Sequence, residues 1–261
     1  MLQKTLLLCT LAYCCSTAAG SSAAQCTGAS ADLEPAQCAY LHDQFVTWNM
    51  TRYGCKADDP CACKPFGDDV YIKCEGESGR NTTVTEIQFN DFGVGDDLQG
   101  TIGENIGALQ DLKELGYCCN LISGTIPASL WTLKKLVSLS LGDNNLTGTL
   151  PESVGDLDAI TKFAVDHNYL SGSLPASFGN LTDTVEAVDL FCNKFTGVLP
   201  AIDYDNITHD PTSPTKRVYS CFFSTDPEGV PDYCSDPFGP ETYWACPLPD
   251  GAAHNCKAQC K

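Results

Sequence analysis

Three sets of side chains in this 261-residue chain have types that could do chemistry: four histidines, 17 cysteines and 33 carboxylates. His42, His167, His209 and His254 are scattered along the sequence, and no H-E-x-x-H, G-x-S-x-G or glycine-rich phosphate loop surrounds any of them. Hydrolysis or phosphoryl transfer would need a base, a nucleophile and an anion cradle placed together, so the chain reads as non-catalytic. Cys61-Ala-Cys63 and Cys256…Cys260 could supply thiolates to a metal, but these spacings fit zinc sites badly. No metal and no cofactor are expected.

The cysteines make better sense as disulfides. Residues 1–24 have the form of a secretory signal: Lys4 as the positive start, Thr5 to Cys15 as the apolar stretch, then small residues with cleavage after Ala19 or after Ala24. Loss of that segment removes Lys4 and three cysteines, takes the formal charge from −18 to −19 and leaves 14 cysteines. So acidic a chain repels nucleic acid and anionic membrane surfaces. No later stretch approaches the roughly 20 apolar residues of a spanning helix. A secreted or cell-surface location, an oxidising compartment and a monomer are expected. The sequons at Asn49, Asn81, Asn145, Asn180 and Asn206 agree with that location.

The elements that position these groups come from a repeat. LKELGYCCNLISGTIP from Leu112, LVSLSLGDNNLTGTLP from Leu136, ITKFAVDHNYLSGSLP from Ile160 and VEAVDLFCNKFTGVLP from Val185 superimpose, with starts 24, 24 and 25 residues apart. A looser copy begins at Val84. The shared pattern, L-x-x-L-x-L-x-x-N-x-L-[ST]-G-x-[IL]-P, is a leucine-rich repeat. Leu136, Leu139 and Leu141 have the spacing of a short strand turned inward, and Asn144 follows at the bend. Asn120, Asn144, Asn168 and Asn193 are expected to stack as a buried ladder, each bonding backbone of its own turn and the next. Gly148 and Pro151 then redirect the chain to the convex side.

Because each unit packs only on its neighbours, the two ends of the array need covers. The predicted organisation is signal 1–24, a cysteine-rich cap 25–83, repeats 84–200, and over 201–261 a loop, a degenerate sixth repeat and a second cap. Gln37 to Trp48 reads as an amphipathic helix in the first cap. Cys26, Cys38, Cys55, Cys61, Cys63 and Cys74 form an even set there. Cys221, Cys234, Cys246, Cys256 and Cys260 form an odd set that Cys192 is expected to complete. Cys119 and Cys192 share a column three rungs apart, roughly 14 Å at a sheet spacing of about 4.8 Å, too far for a bridge. Cys118 and Cys119 are then either free or an adjacent pair.

Residues between the leucines face outward, so successive rungs build columns: Gly116, Ser140, Ala164 and Asp189 at the centre, with Glu114, Ser138, Lys162 and Ala187 beside them. Past the strands lie Cys118, Gly142, Asp166 and Phe191, then Cys119, Asp143, His167 and Cys192. The surface is small, flat and polar with an acidic edge, suited to an extended peptide, a glycan or a loop of another protein. Asp166, His167, Asp189 and Phe191 are the candidate binding residues.

The turns Ser123 to Pro127, Thr147 to Pro151, Ser171 to Pro175 and Thr196 to Pro200 resemble those of the plant-specific class of extracellular leucine-rich repeat proteins, which includes receptor-kinase ectodomains and polygalacturonase-inhibiting proteins. The first cap is similar to that family's paired-cysteine cap, with Trp48 upstream and Cys63 and Cys74 near the first strand. The resemblance implies an α/β-type right-handed solenoid with a concave parallel sheet, a convex side of short 3-10 and coil segments, disulfide-rich caps and a bound partner. Three roles stay open: recognition of a protein or peptide in signalling, adhesion or defence; inhibition of a secreted cell-wall hydrolase; and a structural part of a wall or surface coat.

Overall fold

The computed structural model describes residues 25–63, 70–77, 80–90, 97–183, 185, 187–190, 192–197 and 200. The expectations for the signal, for the 201–261 segment with its five cysteines and Asn206, and for Phe191 lie outside these residues. Cys192 is disulfide-bonded, and none of the other described cysteines is its partner.

Each repeat contributes one three-residue strand to a concave sheet: β4 (Glu114–Gly116), β6 (Ser138–Ser140), β8 (Lys162–Ala164) and β10 (Ala187–Asp189). These run parallel, and β2 (Arg80–Phe89), which contains the loose copy at Val84, precedes them as the first rung. The register pairs Gly116 with Ser140, Ser140 with Ala164 and Ala164 with Asp189, the column expected from the spacing. Inward positions are sealed: Leu115, Leu139, Phe163 and Val188 are each at most 1 % exposed. Burial of one such side chain favours folding by about 1.5–3 kcal/mol, so the stacked leucines hold the rungs together.

A second parallel sheet runs beside the first and was not foreseen. Its strands are β3 (Gln99–Thr101), β5 (Leu121–Thr125), β7 (Asn145–Gly148), β9 (Tyr169–Gly172) and β11 (Lys194–Phe195). The [ST]-G segment reads as a turn because its glycines are poor strand formers. Gly124, Gly148 and Gly172 do take positive φ, at 83°, 94° and 80°, yet the chain around them stays extended and pairs with its counterparts. The preceding hydroxyls fasten the rungs, with Ser123 Oγ donating to the Gly100 carbonyl at 3.2 Å and Thr147 Oγ1 to that of Gly124 at 3.2 Å. Short 3-10 segments, among them Ala128–Thr132 and Glu152–Asp156, complete the convex side as expected.

The N-terminal cap is a helix packed over a hairpin. Helix α1 (Pro35–Thr47) starts with Pro at its first position, where no N–H is needed. Its buried face includes Tyr40, Leu41 and Phe45, and Trp48 continues it. Phe45 and Trp48 lie 6.0 and 6.3 Å from Phe89, and Trp48 meets Tyr117 edge-on at 4.9 Å. Gln44 joins the helix to the second sheet, accepting from the Gly103 N–H at 2.7 Å and donating to the Thr101 carbonyl at 3.0 Å. Strand β1 (Val70–Glu77) turns antiparallel to β2 and forms the outer edge of the concave sheet. Three bridges hold the cap: Cys26–Cys38, Cys55–Cys63 and Cys61–Cys74. The Cys61 and Cys63 thiols are thus committed to disulfides.

Candidate functional site

Four asparagines frame the concave edge. Asn168, fully buried, accepts from the Leu146 N–H at 2.8 Å and donates to the carbonyls of Leu141 (2.9 Å), Val165 (3.2 Å) and Asp166 (2.9 Å). Asn144 accepts from Ile122 N–H and donates to Tyr117, Leu141 and Gly142 in the same way. Asn120 and Asn193 extend the series, accepting from Leu98 and Leu170 N–H groups. The bonds reach back to the preceding turn, not forward to the next as the sequence reading had it. The Asn168 amide points toward the turn before it, where the Leu146 N–H and the Leu141 carbonyl meet it.

The residue before each ladder asparagine is held left-handed: Cys119, Asp143, His167 and Cys192 have φ of 62°, 50°, 47° and 52°. Asp and His tolerate this conformation better than most side chains. Strand alternation ends here, and that redirects His167. Expected on an open edge, it is instead 8 % exposed, folded onto its own rung and the one before. Its Nδ1 lies 2.9 Å from Asp166 Oδ2 and 3.6 Å from Asp143 Oδ1. Gly142 makes the room: a Cβ there would sit 2.6 Å from Asp166 Oδ1. Gly142 escaped the sequence reading, although glycine in a column that otherwise holds Cys118, Asp166 and Phe191 is its signal.

On the preceding rung Cys118 and Cys119 are bonded to each other, the adjacent pair of the two alternatives. Cys119 Sγ stands 3.9 Å from Asp143 Oδ2, so the bridge continues the acid–imidazole cluster. The Cys118 N–H donates to Asn90 Oδ1 at 2.9 Å, and Asn90 is linked through Gln88 to Glu114. Among the other sequence candidates, Asn49 and Asn180 are exposed and Asn145 is half-buried at the start of β7, while the side chain of Asn81 is not described.

The electrostatics are unbalanced. Burial alone would lower the His167 imidazole, but the Asp166 hydrogen bond and the charges of Asp143 and Asp166 outweigh it and hold it above its usual value. Asp143 is raised by burial first; His167 opposes that and Asp166 adds to it. Asp189, half-buried in the central column, is pushed up to about 7 by burial and by the Asp166 charge. A carboxyl whose folded value is raised destabilises the fold once it ionises. That penalty is absent below the unfolded value near 4, grows up to about pH 7 and is complete above it. Asp189→Asn is therefore expected to raise stability by roughly 1–3 kcal/mol at pH 8 and hardly at all at pH 4. Chemical denaturation at the two pH values in metal-free buffer checks this; an equal effect at both would mean that Asp189 titrates normally.

Comparison with known proteins agrees with this architecture. A family model described as Leucine Rich Repeat matches residues 135–157. A search of curated proteins gives no significant match. Among solved structures, the leucine-rich repeat ectodomain of the receptor kinase SOBIR1 from Arabidopsis thaliana is 23% identical, with a TM-score of 0.53 over 65% of this chain and 85% of that one. The plant peptide hormone receptor RGFR1, in complex with RGF2, is 37% identical over 40% of this chain but only 16% of its own, with a TM-score of 0.39. A plant ice-binding protein is 25% identical over 65% of this chain and 59% of its own, with a TM-score of 0.47. The chain is a leucine-rich repeat solenoid. It has disulfide pairs at the N-terminal end and parallel sheets whose strands follow chain order. No helix among the described residues is long and apolar enough to cross a membrane.

Proposed function

We propose that this protein is a secreted, non-catalytic recognition module that binds an extracellular protein or peptide through its concave face, in signalling, adhesion or defence. The observation that carries this reading is the central column, where the small side chains of Ser140 and Ala164 lead to the desolvated carboxyl of Asp189. Gln88 and Asn90 cover Gly116 at the far end, so an extended chain would lie over Ser140 and Ala164. A basic group reaching Asp189 would replace lost water with an opposite charge, so binding relieves a cost the free protein carries. The partner is accordingly a segment with a Lys, an Arg or a free amino group, and Phe191, two residues on in the sequence, is the proposed apolar anchor.

Affinity capture from the native extracellular medium, followed by titration of the captured partner, tests this. The double variant Asp189→Ala, Phe191→Ala is expected to weaken binding at least tenfold, on the scale of central interface residues, without lowering the melting temperature. Unaltered affinity would move the site off the concave face to the 201–217 segment or a cap. Inhibition of a cell-wall hydrolase by the purified protein, with no peptide captured, would favour the inhibitor role instead.

A further inference from the structure

We propose that Asp143, Asp166 and His167 form a binding site for one divalent transition-metal ion of the zinc or manganese type, on the concave edge of the solenoid. This inference does not rest on the recognition reading; the site can fill with no partner present. His167 brings an imidazole nitrogen, which suits zinc, beside the two carboxylates that suit manganese, whereas calcium and magnesium take oxygen ligands; the histidine is nine-tenths buried, so its ring is held in place.

The three donors are already spaced as ligands. One oxygen each from Asp143 and Asp166 and one nitrogen from His167 lie within 4.8 Å of one another. Around an ion with bonds of about 2.1 Å, neighbouring donors stand roughly 3.0 Å apart in an octahedron and 3.4 Å in a tetrahedron. The separations from His167 Nδ1, 2.9 Å to Asp166 and 3.6 Å to Asp143, bracket those edges. An ion could therefore enter by drawing the two carboxylates in around the imidazole nitrogen. Each donor sits on a fixed backbone: Asp143 and His167 are in the left-handed position before a buried asparagine, and Asp166 overlies the bare Cα of Gly142.

Charge favours the same occupant. The two carboxylates share one imidazole, and Asp189 on the next rung feels Asp166 as a repulsion. A dication neutralises the pair, while an open side remains at Asp143, whose side chain is 43 % exposed, for water or a partner's group. The Cys118–Cys119 bridge borders the site but gives no thiolate while it stays oxidised.

The test uses the purified full-length chain after chelation, titrated with zinc chloride by calorimetry, with manganese broadening of NMR signals as a second readout. Expected is a site of 1:1 stoichiometry whose affinity falls at least tenfold in Asp166→Asn and in His167→Gln and is unchanged in Glu152→Gln, an exposed acid on the convex side. Manganese is expected to broaden resonances of residues 141–144 and 165–168 first. Should His167→Gln misfold, Asp143→Asn, altering a half-exposed side chain, keeps the test open with the same expected loss. Zinc bound with undiminished affinity by His167→Gln and Asp143→Asn, broadening confined to other residues, or no binding by the parent protein would each overturn the proposal.

Discussion

Asn168→Ala is expected to lower the stability of the solenoid by about 3–5 kcal/mol, the largest effect of any single side chain on the concave edge. The amide makes four hydrogen bonds to backbone groups on two successive turns, and it is fully buried. Removing it leaves the Leu146 N–H and three carbonyls without that partner. Each buried orphan costs about 1–3 kcal/mol, tempered where water can enter the space left behind. The loss falls between two rungs, so it also weakens the interface on which a linear array depends. Urea unfolding of Asn168→Ala beside Asn180→Ala, which alters an exposed convex residue, is the measurement. The exposed change is expected to stay within about 0.5 kcal/mol. A loss below about 1 kcal/mol for Asn168→Ala would mean that the ladder is ornamental.

Reduction of the cap is the second large effect. The bridges Cys26–Cys38, Cys55–Cys63 and Cys61–Cys74 span 12, 8 and 13 positions, and a bridge of that size contributes roughly 2–4 kcal/mol. The cap also provides the apolar cover for Phe89 and Tyr117, both 1 % exposed. Mild reductant is therefore expected to release amide protection first in α1 and β1, while the amides of residues 136–170 follow only at higher reductant. Cys118–Cys119 joins neighbours and encloses no loop, so its reduction is expected to change stability little. Hydrogen exchange with mass-spectrometric readout follows both. Uniform loss of protection along the chain would show that the array has no stability apart from its bridges.

What could be read from the residues was what the local pattern dictates. Leu136, Leu139 and Leu141 announce a strand face because their spacing is that of a pleat, and the 24-residue offset then places Ser140 beside Ala164 without any further information. The [ST]-G strands were missed because their order is not local. A glycine at positive φ is a turn signal in one repeat and becomes part of a sheet only when copies lie against it. The hairpin of β1 and β2 was missed for a similar reason, since the 25–83 segment showed periodicity only in its helix. At the candidate site the residue types and columns were legible, but the direction of His167 was not. Alternation holds while the backbone is extended, and one left-handed residue is enough to turn an outward position into a buried one. The burial that raises Asp189 likewise depends on neighbouring rungs, which the spacing of its own repeat does not report.

A stack of equivalent rungs has no length of its own; something must say where it begins. Here β1 lies antiparallel on the first rung, and its Lys73 is tied by ion pairs to Glu75 at 3.0 Å and Glu86 at 2.6 Å. The second sheet is closed at the same end, where Thr47 and Trp48 stand against Gly100. An incoming parallel strand finds its docking edge already taken by a strand of the wrong direction, with charges along it. Addition of further parallel rungs at this end is therefore opposed by β1 and its charges. Growth by duplication within the array is unobstructed. Inserting a second copy of residues 136–159 would add a rung to both sheets and about 4.8 Å to the concave track. Such a chain keeps its start point and gains reach, so a set of relatives measuring out ligands of different lengths could arise with the end piece unchanged.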